Sequence, residues 1–204
     1  LGVLILWVGW SGFNAGSTIS VDAAFFGYVA LNTTLAAGAG AVAATLISWV
    51  VLGKSDIPTI LNGALAGLVA ITASCAFVDV WASVVIGLIA GVLVFYSARF
   101  FEKRKVDDPI YALSVHGAAG VWGTLSTGFF ATPELASVGK PGLFYGGGFD
   151  QLGVQLMGVV SCGLFAFVVS YAILFIMKKV MSGIRVTEEE ELMGLDMSEH
   201  GNYG

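Results

Sequence analysis

One imidazole, His116, lies in "YALSVHGAAGVWGTLSTGFF" (Tyr111 to Phe130), a stretch that carries no charge. Imidazole donates or accepts a hydrogen bond and relays a proton near neutral pH. Its helical neighbours would be Ala112, Leu113, Ala119 and Gly120, and Gly117 and Gly123 continue the small-residue theme. They leave room beside the ring for another helix or for a narrow lumen. Two roles stay open from the residues alone. One is an interhelical hydrogen bond, worth about 1 kcal/mol inside a membrane. The other is a lumen-facing group, because polar side chains at depth face a bundle interior or a cavity.

A second constellation is "WVGWSGFNAGSTIS" (Trp7 to Ser20). Trp7, Trp10 and Phe13 share a helical face, with Asn14, Gly16 and Ser17 following at once. Aromatic residues form interfacial belts. An aromatic face beside a hydroxyl also suits a small cation, which the ring quadrupole attracts and the oxygen hydrogen-bonds. A third is "EKRKVDDPI" (Glu102 to Ile110), where Asp107, Asp108 and Pro109 read as the cap and first turn of a helix rather than as a catalytic acid pair. His200 reads as a solvated tail residue. Cys75 and Cys162 read as small apolar residues. No metal site, cofactor or nucleophile–base pair is expected, so the chain does not read as an enzyme. The Gly-rich "KPGLFYGGGFD" follows no strand and reads as a turn-rich loop, not a nucleotide site.

The elements that must position these groups belong to a membrane. The 204 residues are 57% hydrophobic and 11% charged, with mean hydropathy +0.88. Soluble domains carry about 25% charged residues, so lipid must be the solvent for much of this surface. Apolar runs predict an all-α polytopic protein with segments at Leu1–Phe13, Ala23–Leu52, Ile57–Ser74, Trp81–Phe101, Ile110–Ala131 and Leu152–Met177. The first is shorter than the roughly 20 residues a spanning helix needs, as if the sequence started partway through a helix. Eight of nine basic residues follow the second, fourth and sixth segments, and only Lys140 lies in another connection. By the positive-inside rule that face, with the tail, is cytoplasmic. Gly63 and Gly67, and Gly87 and Gly91, have the spacing of close helix packing. Glu188–Glu191 read as a solvated run, and no basic stripe suggests nucleic acid. We expect a membrane domain over 1–181 and a regulatory tail over 182–204.

"GWSGFNAGS", "NGALAGLVAIT", "VDDP…VHGAAGVWGTL" and "GIRV…EEE…GLD…HG" occur here in the order found in the ammonium transporter (Amt/Mep/Rh) family. The chain resembles that family's C-terminal half, helices six to eleven of an eleven-helix fold with the first truncated, plus the cytosolic tail. The resemblance implies a homotrimer in a bacterial inner or plasma membrane. It implies ammonium or ammonia as cargo, methylammonium as its analogue, and a PII-type regulator at the tail. It assigns Ser17, with Trp10, to cation recruitment, Phe13 to a phenyl gate at the pore mouth, and His116 to a pair of lumen histidines whose partner lies upstream. Two positions depart from the pattern. Tyr111 stands where the family often has Asp, which puts the inner exit in question, and Ala73 stands where proline is common. A sensor and a non-conducting fragment remain the alternatives to a transporter.

Overall fold

The structure, a computed structural model, describes residues 1–135, 139–181 and 183–202. The connection between the fifth and sixth expected segments and the expected tail over 182–204 thus lie partly outside the described residues. The order is α1 (Gly2–Gly16), α2 (Ala23–Leu52), α3 (Ile57–Thr72), α4 (Val80–Lys103), a π-helical turn (Leu113–Ala118) running into α5 (Ala119–Phe130), a 3-10 turn (Leu143–Tyr145), α6 (Asp150–Val180), α7 (Glu188–Met193) and α8 (Leu195–His200). Among the described residues the sole extended pairing is an isolated bridge between Val78 and Ala131.

The expected segments match these helices to within a few residues, and α2 matches to the residue. The sixth differs most, with the helix running two residues earlier and three later than expected, and the fifth starts late because Ile110 lies in a turn ahead of the helix. By length and composition α2, α4 and α6 are able to cross a membrane, whereas α3 is shorter. Two compact units divide within α6: Leu1–Val159 and Val160–Gly204.

In the first unit α2, α3 and α4 pack most extensively on one another. The reason is the absence of side chains. A Cβ on Gly67 of α3 would stand 2.2 Å from the Ala36 carbonyl oxygen of α2, and so would one on Gly87 of α4. Gly91 would meet the Gly40 oxygen at 2.3 Å. In lipid no hydrophobic drive joins helices, so this van der Waals closeness holds them. Helix ends follow from local chemistry. Asp22 caps α2 by accepting from the Ala24 and Phe25 amides, and Asp56 caps α3 through the Thr59 amide. Lys105 ends α4 in the left-handed region (φ 57°). There the Val106 amide donates to Phe101 O and the Lys105 amide to Glu102 O, a Schellman closure.

In the second unit no residue of α6 is buried. Phe167, Tyr171 and Phe175 stack one turn apart, and Lys179 Nζ sits 4.6 Å over the Phe175 ring. Glu188–Glu191 are the first turn of α7, capped by a reciprocal Thr187–Glu190 box. Four carboxylates there meet the positive end of a helix dipole. The Thr187 hydroxyl and amide hold the Glu190 carboxyl below its usual range.

Candidate functional site

The aromatic face of α1 leads to a cavity of about 460 Å³. Phe13, Ser17, Phe25, Thr72, Cys75 and Phe77 are among its lining residues. Phe13 is 60% exposed. Its ring meets Trp10 edge to face, centroids 6.2 Å apart. Trp10 Nε1 donates to Thr72 Oγ1 at 2.8 Å, and that hydroxyl donates in turn to Leu68 O at 2.7 Å. The indole is thereby pinned to the end of α3. Ser17 Oγ donates back to Phe13 O, so the hydroxyl oxygen keeps its lone pairs for an incoming donor. Aromatic rings and hydroxyls therefore converge at one mouth.

Asn14 lines the same cavity. It is buried, and its Nδ2 donates to Thr33 Oγ1 at 3.1 Å, tying α1 to α2. Thr72, Phe25 and Phe77 were missed from the sequence. Thr72 lies 62 positions from Trp10, a separation no periodicity spans. Phe25, near the start of α2, and Phe77, in the turn between α3 and α4, look like ordinary apolar residues. Cys75 is buried, and burial pushes its thiol up to about 11. It stays neutral near pH 7, in keeping with the apolar reading.

His116 sits on a different element, the fourth residue of the π-helical turn. The turn is closed by the Ala119 amide donating to Ser114 O, five residues back. The ring is exposed between half-buried Gly117 and buried Val115. The turn and α1 both pack against α3 and do not share the cavity at Ser17. So the structure brings Trp10, Phe13 and Ser17 together and places His116 apart from them, with α3 as the common wall. π-helical turns recur at functional sites.

Tyr111 lies five residues before His116, in the left-handed region (φ 58°). Its ring lines a cavity of about 160 Å³ at the opposite end of the bundle, with Asp56, Thr59, Asn62, Arg99 and Glu102. The Thr59 hydroxyl and amide hold the Asp56 carboxyl below its usual range. Arg99 stacks over Phe95 at 5.2 Å. Asp108 does act as a cap, but at longer reach than expected. Its carboxylate accepts from the Leu113 and Ser114 amides and from Ser114 Oγ.

The comparisons with known proteins agree on one kinship. The model of the Ammonium Transporter Family matches residues 1–204. Amt2, an ammonium transporter of Archaeoglobus fulgidus, is 48% identical over 206 residues, covering 98% of this chain and 43% of its own length. An ammonium transporter of Bacillus subtilis is 38% identical, covering 98% and 49%. Among solved structures, a protein described as a sensor Amt protein superposes with a TM-score of 0.86 at 38% identity, covering 97% of this chain and 47% of that one. Mep2 of Candida albicans superposes at 0.84 with 32% identity, covering 93% and 42%. The chain thus spans about half the length of the relatives it matches.

Proposed function

The chain belongs to the ammonium transporter family, and from that premise we propose that it forms one wall of a conduit for ammonium and ammonia. The observation that carries this reading is the mouth at the end of α1, where Phe13 and Ser17 share a cavity with Thr72, the residue that pins Trp10. Ammonium gives up much hydration on leaving water, and an unpaired ion in an apolar passage is costly. An electron-rich aromatic face and a hydroxyl lone pair offset part of that loss. Trp10 and Ser17 recruit the cation, and the exposed Phe13 ring gates the way inward. The neutral ammonia that remains after deprotonation crosses an apolar path far more cheaply. His116, exposed on a turn of small residues, hydrogen-bonds the cargo as it passes. The opposite wall, with its gate and its second imidazole, comes from the part of the full-length transporter outside these 204 residues.

On this reading the transporter is a homotrimer in the bacterial inner or plasma membrane. Lys54, Arg99, Tyr111 and the tail face the cytoplasm, where a PII-type protein meets α7. Tyr111 replaces a carboxylate at the inner exit with a phenol. The likeness to a sensor Amt protein favours a second reading, ammonium sensing.

One flux experiment tests both. In the full-length protein in liposomes, His116→Ala changes the ratio of ammonium to methylammonium transport. Unchanged transport of both would remove His116 from the path. No flux from a correctly assembled, unsubstituted protein would leave sensing as the function.

A further inference from the structure

We infer that Asp108 is the positioning residue for His116: it keeps the π-helical turn wide and so sets the direction of the imidazole. The inference rests on the reading of His116 as a pore residue and adds what aims it.

The carboxylate of Asp108 reaches forward over a turn. Oδ1 accepts from the Leu113 amide at 3.0 Å. Oδ2 accepts from the Ser114 amide and from Ser114 Oγ, both at 3.2 Å. The backbone closes the same loop, with the Tyr111 amide donating to Asp108 O at 3.1 Å and the Val115 amide to Tyr111 O at 2.8 Å. Tyr111 has φ 58°, a region that costs an L side chain about 1–2 kcal/mol. The loop therefore holds a conformation the residue would not choose, and the three bonds to Asp108 offset that cost.

Ser114 links this anchor to the turn. Its amide and hydroxyl are held by Asp108, and its carbonyl accepts from Ala119. His116 lies inside the ring that this last bond closes. An ordinary α-helix would bond the Ala119 amide to Val115 O instead, dropping one residue from the turn. One residue of an α-helix is about 100° of rotation, because 3.6 residues complete a turn. Releasing Ser114 lets the turn tighten toward that geometry, and everything N-terminal to Ala119 then swings relative to α5. Ser114 is fully buried and Val115 nearly so, so the ring and its anchor fix one backbone path. Asp108 touches neither cargo nor imidazole. It acts through Ser114.

The test uses the full-length protein in liposomes, reading the ammonium-to-methylammonium flux ratio per correctly assembled protein. Four variants are compared: Asp108→Ala, Asp108→Asn, His116→Ala and the double Asp108→Ala/His116→Ala. Asp108→Ala is expected to shift the ratio in the direction of His116→Ala and by much of its size. The double variant is expected to match His116→Ala alone, because an unaimed ring and an absent ring lose the same contact. Asp108→Asn keeps one carbonyl acceptor and recovers part of the ratio. A variant with fewer assembled molecules but an unshifted ratio would reduce Asp108 to a stability cap, and so would additive effects in the double variant. If Asp108→Ala does not assemble, Asp108→Asn carries the same readings with His116→Ala. A silent His116→Ala would instead overturn the pore role itself, an outcome separate from either of these.

Discussion

Thr72 shows how one hydroxyl organises the mouth. It accepts from Trp10 Nε1 and donates to Leu68 O, so both its capacities are used. Thr72→Val keeps the shape, removes the acceptor and leaves the indole N–H without a partner. A neutral hydrogen bond of this kind contributes about 1 kcal/mol. We expect thermal stability in detergent to fall by about that amount and, on the proposed transport reading, uptake at low ammonium by the full-length protein to weaken as Trp10 and Phe13 lose their fixed geometry. An unchanged melting temperature and apparent affinity would show that the indole needs no pin. The grouping of Trp10, Phe13 and Ser17 was legible because they stand together in one short stretch. Thr72 was not, since hydrogen bonds between distant helices leave no local pattern. The π-helical turn was also hidden. Sequence periodicity registers His116 as helical, but a single wider turn changes its direction without changing any residue type.

At the scale of elements, the connection from α5 to α6 is held down by chemistry outside the helices. The Thr132 amide donates to Phe77 O and the Gly142 amide to Ala131 O. Tyr145 Oη donates to the Asp79 carboxylate at the start of α4. Phe144 packs against Phe129 and Phe130. Burial of the phenol, together with the acceptor and negative charge of Asp79, pushes Tyr145 up to about 12, above the ordinary phenol value of about 10. The fold favours the protonated phenol. Its stabilisation is therefore complete below about pH 10 and is lost as the pH rises toward about 12. In the phenolate absorbance titration Tyr145→Phe should remove one late-ionising tyrosine. In the same window amide exchange should quicken at Leu143–Gly147 in the unsubstituted protein, and the variant should exchange fast throughout. A late phase left unchanged by Tyr145→Phe would show that Asp79 does not hold the loop. Helix positions were legible here because Asp, Gly and Pro punctuate apolar runs. The Asp79–Tyr145 tie was not, because "KPGLFYGGGFD" carries turn signals alone and says nothing of a partner 66 positions away.

The whole bundle depends on how closely three helices meet at one carbonyl. Ala36 O of α2 is approached from two sides, by Gly67 of α3 and by Gly87 of α4. The paired glycine spacing predicted close packing, but which helix they close upon needed the structure. A methyl group at either site would meet backbone, which has no rotamer to yield, so the helices must separate. Overpacking of this kind costs about 1–3 kcal/mol. Gly38 offers the control, because it lies on α2 with nothing within 4 Å of a Cβ. Ala is the better helix former by about 1 kcal/mol, so Gly38→Ala should leave stability unchanged or raised, while Gly67→Ala and Gly87→Ala should lower it. The double variant Gly67→Ala/Gly87→Ala should cost less than the two separately, since the first displacement of α2 relieves the second. Because α1 and the His116 turn both rest on α3, the proposed transport by the full-length protein should also slow in Gly67→Ala and not in Gly38→Ala. Equal stability of Gly38→Ala and Gly87→Ala in thermal unfolding would show that the three helices are not held at this carbonyl.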